Sequence, residues 1–371
     1  MSAPSPFMQA AIDLAASVRG TTSPNPWVGA VLVRDGRIIA QGATAPYGGP
    51  HAEANALART DARGTTLYCT LEPCVPFPGK RTPPCTETII AAGVRRVVIA
   101  LLDPHVGGKG VQRLRNAGID VEIGDGAEAV TNLLRPYLKW RQLGIPYVIA
   151  KVAVSLDGAV GAPAAGITWL TGEAAIARAH RDRASVDAIL VGSGTVLADD
   201  PALTARPNGQ PAPRQPVRIV LDARGRTDPA ARVFQPTAPV IVATAPGSPP
   251  TWRQALLQRG ITLLELERTE GRLELRQLLQ TLGQRNIQSL IVEGGPTVHA
   301  SFFDADLVDE LHAYVTPRLL GSVGLPLVPP QHPFPIVHLD NVEIEPLPPD
   351  VLVRGYTGSW QPPLPILTPE A

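Results

Sequence analysis

The sequence predicts an α/β protein of two domains. The chain has 371 residues, more than one hydrophobic core usually serves, so that two domains are expected. Apolar runs of strand type alternate with segments of helical spacing as far as Gly144, and a second series begins at Ile145. Each series indicates a layered α/β domain, and we place the domains at residues 1–145 and 146–371.

The first half contains a hairpin and a chain of alternating elements. Two apolar runs within residues 27–42 flank Asp35-Gly36, a turn pair typical of hairpins. Pro83 and Pro84 precede a helical segment that Gly93 follows, which is the usual punctuation of a helix. The predicted helices cover residues 7–20, 51–60, 83–93, 111–119 and 126–144, and the remaining strands cover residues 65–73, 94–103 and 119–124.

The second half repeats this alternation. The last part of the chain, residues 346–371, is rich in proline, and we expect an irregular terminal segment there. The predicted strands cover residues 145–158, 185–194, 216–225, 238–247, 287–295 and 310–321, and the predicted helices cover residues 172–184, 251–260, 272–283 and 297–308.

The composition argues against several classes of protein. Lys plus Arg and Asp plus Glu balance at 33 each, so nucleic acid is not an expected partner. The N-terminal residues lack the pattern of a signal peptide, and no apolar run is long enough to span a membrane. Three cysteines argue against a disulfide framework and favour the reducing cytoplasm.

Two of the cysteines, Cys74 and Cys85, flank a proline-rich loop. With His51 they form a set of one imidazole and two thiolates, which can bind zinc and leave a fourth position for water. Zinc lowers the pKa of bound water towards about 7. Glu53, two residues from His51, is placed to pass the proton of that water to a leaving amine. The order His-x-Glu, Pro-Cys, Cys is that of zinc deaminases, although ten residues separate the cysteines here.

The competing interpretation is that Cys74 and Cys85 are buried structural cysteines and that His51 caps a helix. The combination of these residues with Glu53 and Pro73 favours the metal site. The third cysteine, Cys69, lies in a predicted strand and is expected to be a small core residue.

Two glycine-rich turns follow predicted strands in the second half, at residues 191–195 and 293–297. Both can bring backbone N–H groups to a phosphate at the start of a helix. Glycine is also common at such turns because it readily adopts a positive φ angle, and this simpler interpretation needs no ligand. The dinucleotide fingerprint GxGxxG is absent after the first strand of this half, so the pattern alone does not identify a nicotinamide cofactor.

Motifs in both halves resemble one family, the bifunctional riboflavin biosynthesis deaminase–reductases of the RibD type. The resemblance covers nearly the whole chain. In the first half it rests on NPWVGAVLV at 25–33, HAEANAL at 51–57, TLEPC at 70–74, GKRTPPC at 79–85 and AAGVRRVVIALLDP at 91–104. In the second half it rests on KVAVSLDG at 151–158, ITWLTGEAA at 167–175, ILVGSGTVLADDPALTAR at 189–206, PVRIVLD at 216–222, LIVEGGPTVHASF at 290–302 and DELHAYVTPRLLG at 309–321.

The resemblance implies a cytidine-deaminase-like three-layer α/β/α domain followed by a dihydrofolate-reductase-like α/β domain. With one Zn²⁺ per chain, the first would hydrolyse the 2-amino group of 2,5-diamino-6-(5-phosphoribosylamino)pyrimidin-4(3H)-one. The second would use NADPH to reduce the ribosyl group, giving 5-amino-6-(5-phosphoribitylamino)uracil. A cytoplasmic homo-oligomer, dimer or tetramer, is implied as well.

The resemblance also implies site residues. Glu53 would be the proton shuttle beside the zinc ligands, Asn25 would help to hold the pyrimidine, and Lys80 would lie near the substrate. A hydride delivered to C1′ of the sugar leaves a developing charge that needs a proton, and we take Lys151 and Asp199 as candidates for protonation or positioning. The residues implied to contact NADPH are Ala153, Trp169, Thr195, Asp199, Gly294, Gly295, Pro296, Thr297 and Val298, and those implied to form the substrate pocket are Thr168, Arg183, Leu203, Arg206 and Glu293.

Plainer interpretations compete with some of these assignments. Arg183 and Arg206 suit a ribose phosphate because a guanidinium grips phosphate oxygens with two hydrogen bonds, yet both would also fit as surface arginines. Lys80 would otherwise be a solvated loop lysine. Lys151 would otherwise be a charge at the end of a strand.

The loop after the first cysteine departs from the family pattern. Val75-Pro76 stands where the family usually carries Ser-His or Asn-His, and His105 stands where an Asn is usual. The main alternative is therefore a reductase with an impaired deaminase domain. A second alternative is a deaminase of another base, nucleoside or tRNA, but the neutral net charge and the presence of the second half argue against it. A third alternative is a non-catalytic binding protein that a structural zinc ion stabilises.

Overall fold

The computed structural model describes residues 3–77, 82–167, 169–269, 271–329 and 334–362. It contains two compact units, one ending at Gly144 and one comprising residues 145–361. Lys80 and Thr168, two of the predicted site residues, lie outside the described residues. Within the described ranges, the helices are all too short or too polar to cross a membrane.

The first unit is built on one mixed sheet. Its described strands are β1 (Gly29–Arg34), β2 (Arg37–Ala43), β3 (Thr66–Leu71), β4 (Arg96–Leu101) and β5 (Asp120–Ile123). Its described helices are α1 (Pro6–Ser17), α2 (Ala52–Leu57), α3 (Cys85–Ala91), α4 (Lys109–Asn116), α5 (Ala127–Leu133) and α6 (Arg135–Leu143). The strand order is β2-β1-β3-β4-β5. β1 is antiparallel to β2 and β3, whereas β3, β4 and β5 run parallel.

Two glycines allow helices to approach this sheet closely from opposite sides. A Cβ on Gly29 would lie 1.9 Å from the carbonyl oxygen of Ala11 in α1, and a Cβ on Gly42 would lie 2.4 Å from that of Ala52 in α2. Gly42 pairs with Ala30, the neighbour of Gly29, so the two glycines point to opposite faces. The helices therefore cover both faces, and the predicted three-layer α/β/α fold is confirmed.

The second unit contains a larger, mostly parallel sheet. Its described strands are β6 (Tyr147–Ser155), β7 (Ala188–Gly192), β8 (Val217–Leu221), β9 (Val240–Thr244), β10 (Thr262–Glu265), β13 (Ser289–Gly294), β14 (Glu310–Thr316), β15 (Asp340–Leu347) and β16 (Asp350–Tyr356), with β11 (Arg268–Thr269) and β12 (Arg272–Leu273) as a separate pair. Its described α-helices are α7 (Glu173–Ala184), α8 (Ser193–Asp199), α9 (Pro250–Gln258), α10 (Leu275–Gln284) and α11 (Pro296–Asp304). The strand order is β10-β9-β8-β7-β13-β6-β14-β16-β15.

The core of the second unit lies against the central strands of this sheet. Leu190 of β7 and Leu290 of β13 are fully buried, as expected for parallel strands covered on both faces. Leu278 and Leu282, one helical turn apart in α10, pack into the same core. The carboxyl ends of the central strands consequently meet at one edge of a rigid sheet.

The prediction of an irregular terminal segment is wrong for the described part of residues 346–371. β16 pairs antiparallel with β14, and β15 pairs with β16. Leu352 is fully buried and packs with Tyr314 in a small cluster. Buried and partly buried residues largely alternate along β16. The sequence analysis did not predict this strand because prolines lie next to it.

One predicted helix is in fact two. α5 ends at Leu133 and α6 begins at Arg135, within the single helix predicted for residues 126–144. Pro136, at the start of α6, has no N–H to donate to a carbonyl of the preceding turn. The sequence analysis also missed α8, because its few residues follow a glycine-rich turn and carry little helical periodicity.

Candidate active sites

Three short elements of the first unit supply the predicted metal ligands. His51 precedes α2 as its N-cap residue, Cys74 follows β3, and Cys85 is the first residue of α3. The backbone N–H and the hydroxyl of Thr86 both donate to the carbonyl oxygen of Cys74, each at 3.2 Å. These bonds tie the segment after β3 to the start of α3, so the two cysteines are held together.

The ligand atoms have the spacing that zinc requires. His51 Nδ1 lies 3.5 Å from Cys74 Sγ and 3.4 Å from Cys85 Sγ. The three ligand atoms lie within 4.8 Å of one another. At ordinary bond lengths, a tetrahedral zinc ion separates a nitrogen ligand from a sulfur ligand by about 3.5 Å. One imidazole and two thiols at this separation therefore fit a zinc ion with a free fourth position.

The surroundings favour the thiolate form of Cys74. Hydrogen bonds with Cys85 and His51 hold the pKa of the Cys74 thiol well below its usual range, and the backbone N–H of Cys85 donates to Cys74 Sγ at 3.4 Å. Cys69 behaves in the opposite way, because burial raises the pKa of its thiol well above the usual value. Cys69 is fully buried, and its predicted role as a core residue is confirmed.

Glu53 lies in the first turn of α2 and is 3% exposed. Burial raises the pKa of its carboxyl group, the nearby Cys74 raises it further, and His51 opposes this shift. The structure thus places a buried carboxyl group next to the three ligands.

A second buried carboxylate, Glu72, was missed by the sequence analysis. It accepts four backbone N–H hydrogen bonds of 2.7–3.3 Å, from Asp103, Gly108, Gly110 and Val111. A Cβ on Gly110 would lie 2.3 Å from the carbonyl oxygen of Pro73, so this close contact needs glycine. Glu72 therefore fixes the start of α4 beside the segment that carries Cys74. The TLEPC motif was its only signal in the sequence.

Two further residues of the first unit that the sequence analysis named, Asn25 and His105, lie in turns. Asn25 is half-buried in a turn, where its backbone N–H donates to Thr22 at 3.0 Å and its carbonyl oxygen accepts from the Thr22 hydroxyl at 2.8 Å. The ring of His105 lies edge-on to Phe77, with 5.6 Å between centroids. Phe77, in the loop after Cys74 that departs from the family pattern, therefore packs against His105, the other residue that departs from it.

In the second unit, the two glycine-rich turns lie side by side. The hydroxyl of Thr195 donates to the carbonyl oxygen of Gly294 at 2.9 Å. Gly294 and Gly295 have φ angles of +26° and +88°, which favour glycine. Because β7 and β13 are parallel neighbours, α8 and α11 both begin at the same edge of the sheet. This brings Thr195 together with the predicted residues from Gly294 to Val298.

Arg183 and Glu293 form a buried, two-pronged ion pair. Arg183 Nε and Nη2 donate to the two carboxylate oxygens at 2.7 and 2.6 Å, and the side chains are 18% and 8% exposed. Burial alone would raise the pKa of Glu293, but Arg183 and then Lys151 lower it to about 2. Glu293 is therefore an anion, and two donors of Arg183 are committed to it.

Lys151 lies in the middle of β6 and is half-buried. The alternative of a solvated charge at the end of a strand is therefore wrong. Its Nζ lies 5.3 Å from the ring centroid of Tyr314. Burial lowers the pKa of Lys151, while Glu293 raises it and Arg183 lowers it further. The ammonium group thus sits in a small charged cluster behind the glycine-rich turns.

The loop after α8 brings Leu203 and Arg206 towards α7. Leu203 is 3% exposed and has a φ of +52°, a strained conformation of the kind that clusters at functional sites. The backbone N–H of Arg206 donates to His180 Nδ1 at 3.2 Å, and its guanidinium group bonds to the hydroxyl of Thr204. Arg206 is therefore oriented by α7 and by its own loop.

The other predicted residues of this unit occupy more ordinary positions. Ala153 is half-buried in β6 beside the cluster around Tyr314. Trp169 is 74% exposed. Asp199 is exposed at the end of α8, and desolvation by its neighbours raises the pKa of its carboxyl group.

His299 of α11, another residue that the sequence analysis missed, is 3% exposed. A Cβ on Gly294 would lie 2.9 Å from His299 Cδ2, so the ring packs directly against the turn. Burial lowers the pKa of His299 to about 4, and the imidazole is neutral at physiological pH. Its sequence signal is only a polar residue on the buried side of an otherwise apolar helix.

Comparison with known families defines the class of the protein. Residues 1–101 match the family model of the cytidine and deoxycytidylate deaminase zinc-binding region, and residues 146–353 match that of the RibD C-terminal domain. Together with the two folds and the His-Cys-Cys set, these matches define a zinc-dependent deaminase joined to a reductase with a dihydrofolate-reductase-like fold.

Individual relatives extend the match over the whole chain. The riboflavin biosynthesis protein RibD of Bacillus amyloliquefaciens is 40% identical over 93% of this chain and 94% of its own length. The structure of Acinetobacter baumannii RibD is 36% identical, with a TM-score of 0.84 over 94% of this chain and 97% of that one. A diaminohydroxyphosphoribosylaminopyrimidine deaminase/5-amino-6-(5-phosphoribosylamino)uracil reductase from Thermotoga maritima is 35% identical, with a TM-score of 0.80 over 95% and 97%.

The chain belongs to the RibD family of riboflavin biosynthesis enzymes. It is a bifunctional enzyme with a deaminase domain and a reductase domain, and its cofactors are zinc and NADPH. The predictions of family, fold class, activity and cofactors are confirmed.

Proposed function

We propose that residues 1–145 hydrolyse the 2-amino group of the diaminopyrimidinone ribosylamino phosphate and that residues 146–371 reduce the resulting product. The observation that supports this proposal most directly is that His51, Cys74 and Cys85 converge on a zinc-sized space beside the buried Glu53. A structural zinc site usually has four protein ligands, whereas three protein ligands beside a group that can transfer protons suit hydrolysis.

In the deaminase domain, His51, Cys74 and Cys85 would hold the zinc ion, which when bound makes water nucleophilic at neutral pH. Water adds to C2 of the pyrimidine, and ammonia leaves. Glu53 accepts the proton that water loses and delivers it to the departing nitrogen, which its raised pKa supports. Asn25, held by Thr22, would orient the pyrimidine. Lys80 would contact the same substrate, although it lies outside the described residues.

In the reductase domain, the paired glycine-rich turns would hold the phosphates of NADPH with Thr195 and the residues from Gly294 to Val298. Ala153, Trp169 and Asp199 would contact other parts of the cofactor. When bound, NADPH would supply the hydride that reduces C1′ of the opened sugar. The accompanying proton then has to reach the substrate, and the Lys151 ammonium is our candidate donor, with Asp199 positioning the sugar.

The phosphate of the substrate requires cationic donors. Two donors of Arg183 are committed to Glu293, so Arg183 shapes the pocket and keeps Glu293 ionised. Arg206, oriented by Thr204 and His180, is the better candidate to grip phosphate. Leu203, whose conformation is strained, would close the pocket beside it together with Thr168.

We also propose that the enzyme is a cytoplasmic homo-oligomer. Thiolate ligands need a reducing compartment, which supports the first part. The strand β15 lies at an edge of the described sheet and exposes Val342 and Ile344 by 50% and 68%, which supports association with a second copy. Light scattering of the purified full-length chain tests the oligomeric state, and fractionation of cells tests the location.

Mass spectrometry of the products tests the proposed function. The zinc-loaded chain is incubated with the diaminopyrimidinone substrate and NADPH, and we expect a product that is both deaminated and reduced. If only the already deaminated compound is reduced, the altered Val75-Pro76 loop has silenced the first domain, and the reductase-only alternative holds. Removal of zinc should abolish deamination and leave reduction of the deaminated compound intact.

A further inference from the structure

The Lys151 ammonium lies over an aromatic ring. Its Nζ is 5.3 Å from the centroid of Tyr314, within the range of a cation–π contact. In the parallel β6–β14 pair, Lys151 is in register with His312 and Ala153 with Tyr314, so the contact joins neighbouring strands. The ring is 1% exposed, and a desolvated cation gains more from such a contact than an exposed one.

Tyr314 is itself held in place by Asp182. Its hydroxyl donates to Asp182 Oδ2 at 2.6 Å. Asp182 is 7% exposed and is fixed in turn by Arg178 Nε at 3.0 Å and by His312 Nδ1 at 3.2 Å. A phenol that donates a short hydrogen bond to a carboxylate becomes richer in electrons, which strengthens the attraction of its ring face for a cation.

The charged groups around Lys151 come from several elements. Glu293 of β13 and Asp182 of α7 favour its charged form, whereas Arg183 of α7 and burial oppose that form. His299 of α11 is neutral and adds no favourable charge. Burial and Arg183 both oppose the charged form of Lys151, so a further favourable contact helps the ammonium to remain protonated.

We propose that Tyr314 is a positioning residue for the reductase reaction: its ring face holds the Lys151 ammonium towards the substrate, and Asp182 holds the ring. This inference rests on the proposed function, in which Lys151 donates the proton that accompanies hydride transfer. Tyr314 and Asp182 do not touch the reacting atoms; they act through Lys151.

The proposal has a definite consequence for the pH dependence of reduction. Removing the ring removes an interaction that favours the charged amine, so the pKa of Lys151 falls further. A smaller fraction of the enzyme then carries the proton at a given pH. The alkaline limb of the rate profile consequently moves to lower pH.

The experiment measures NADPH-dependent reduction of 5-amino-6-(5-phosphoribosylamino)uracil as a function of pH by the full-length, zinc-loaded chain. The variants are Tyr314→Leu, which removes the ring, and Tyr314→Phe, which keeps the ring and removes the bond to Asp182. For Tyr314→Leu we expect kcat to fall roughly tenfold and the alkaline limb to move down by about one pH unit. For Tyr314→Phe we expect a smaller loss of about threefold.

The deaminase rate of the same molecules normalises the enzyme concentration, because deamination uses residues of the other unit. An unshifted pH profile in Tyr314→Leu would overturn the proposal. Equal losses in the Leu and Phe variants, with unchanged profiles, would show that the tyrosine is needed only for packing and would also overturn it.

A third variant, Lys151→Met, separates this proposal from the one on which it rests. Near-complete loss of reduction in Lys151→Met supports the role of Lys151, whatever Tyr314→Leu shows. If Lys151→Met reduces the substrate at the normal rate, the proposed role of Lys151 itself is wrong.

Discussion

The metal centre and the reductase site are assembled in different ways. Each predicted ligand of the metal centre lies at or just beyond the end of a short element, and zinc chemistry allows only a few residue types there. The reductase site depends on charges buried between a helix and several strands, and Arg183 and Glu293 are 110 residues apart in the sequence. A ligand set can therefore be predicted from residue types and order, whereas a cluster of buried charges depends on which strands become neighbours.

The largest expected effect concerns the metal centre. Replacing Glu53 by Gln keeps the shape of the side chain but removes the proposed proton carrier, so we expect deamination to slow by roughly 10²- to 10⁴-fold. Reduction of the deaminated substrate should be unchanged, because none of the proposed reductase residues is altered. Measurement of both rates on one preparation checks this.

Glu72→Gln is the matched control, because Glu72 is also a buried carboxylate of the same unit. It accepts four backbone N–H groups, so its loss should lower the free energy of unfolding by about 1–3 kcal/mol. Glu53→Gln should not lower stability, since both burial and the nearby Cys74 disfavour its charged form, whereas four backbone N–H groups favour that of Glu72. A stable Glu72→Gln and an unstable Glu53→Gln would reverse the two roles.

The next effect concerns the buried ion pair of the reductase site. Glu293→Gln leaves Arg183 and Lys151 without their carboxylate, and we expect about 3–5 kcal/mol of lost stability. Differential scanning calorimetry of the full-length chain measures it. Reduction should be lost and deamination retained at temperatures below unfolding.

Glu343→Gln provides the comparison for this change, because Glu343 pairs with Arg354 and its side chain is 69% exposed. An exposed pair contributes about 0–1 kcal/mol. If the two variants lose the same stability, burial does not determine the strength of these pairs.

The last expected effect is gradual, a dependence of stability on pH in the second unit. Burial lowers the pKa of His312, but hydrogen bonds to Asp182 and Glu310 outweigh it and raise the pKa to about 9. A raised pKa gives stability that is fully present below about pH 6.5 and is lost as the pH rises through about 9. The free energy of unfolding falls by about 3 kcal/mol, and this one figure covers His312 together with its partners Asp182 and Glu310.

Urea unfolding at pH 6, 7, 8 and 9 measures this loss. The variant His312→Gln carries no titrating ring and should show a flatter dependence over the same range. An equally steep loss in that variant would assign the effect to another group.

Much of the fold could be predicted from the sequence, together with part of each site. The hairpin at Asp35-Gly36 and the alternation of strands and helices follow local rules of turn chemistry and periodicity. His51, Cys74 and Cys85 were predicted as a ligand set, and the structure brings them together. The β15–β16 hairpin was missed because it is stabilised by its pairing with β14, a contact that its proline-rich sequence does not indicate.

By itself, the sequence determined which residues can bind zinc, where most strands and helices begin, and the family to which the chain belongs. These depend on residue type, local spacing and motif order. Only the tertiary structure decided that Glu72 anchors the start of α4, that Arg183 is committed to Glu293, and that Tyr314 lies under the Lys151 ammonium. The physical reason is that the partners of a buried charge are chosen by strand order and burial, which bring distant segments into contact and exclude the water that would otherwise solvate them.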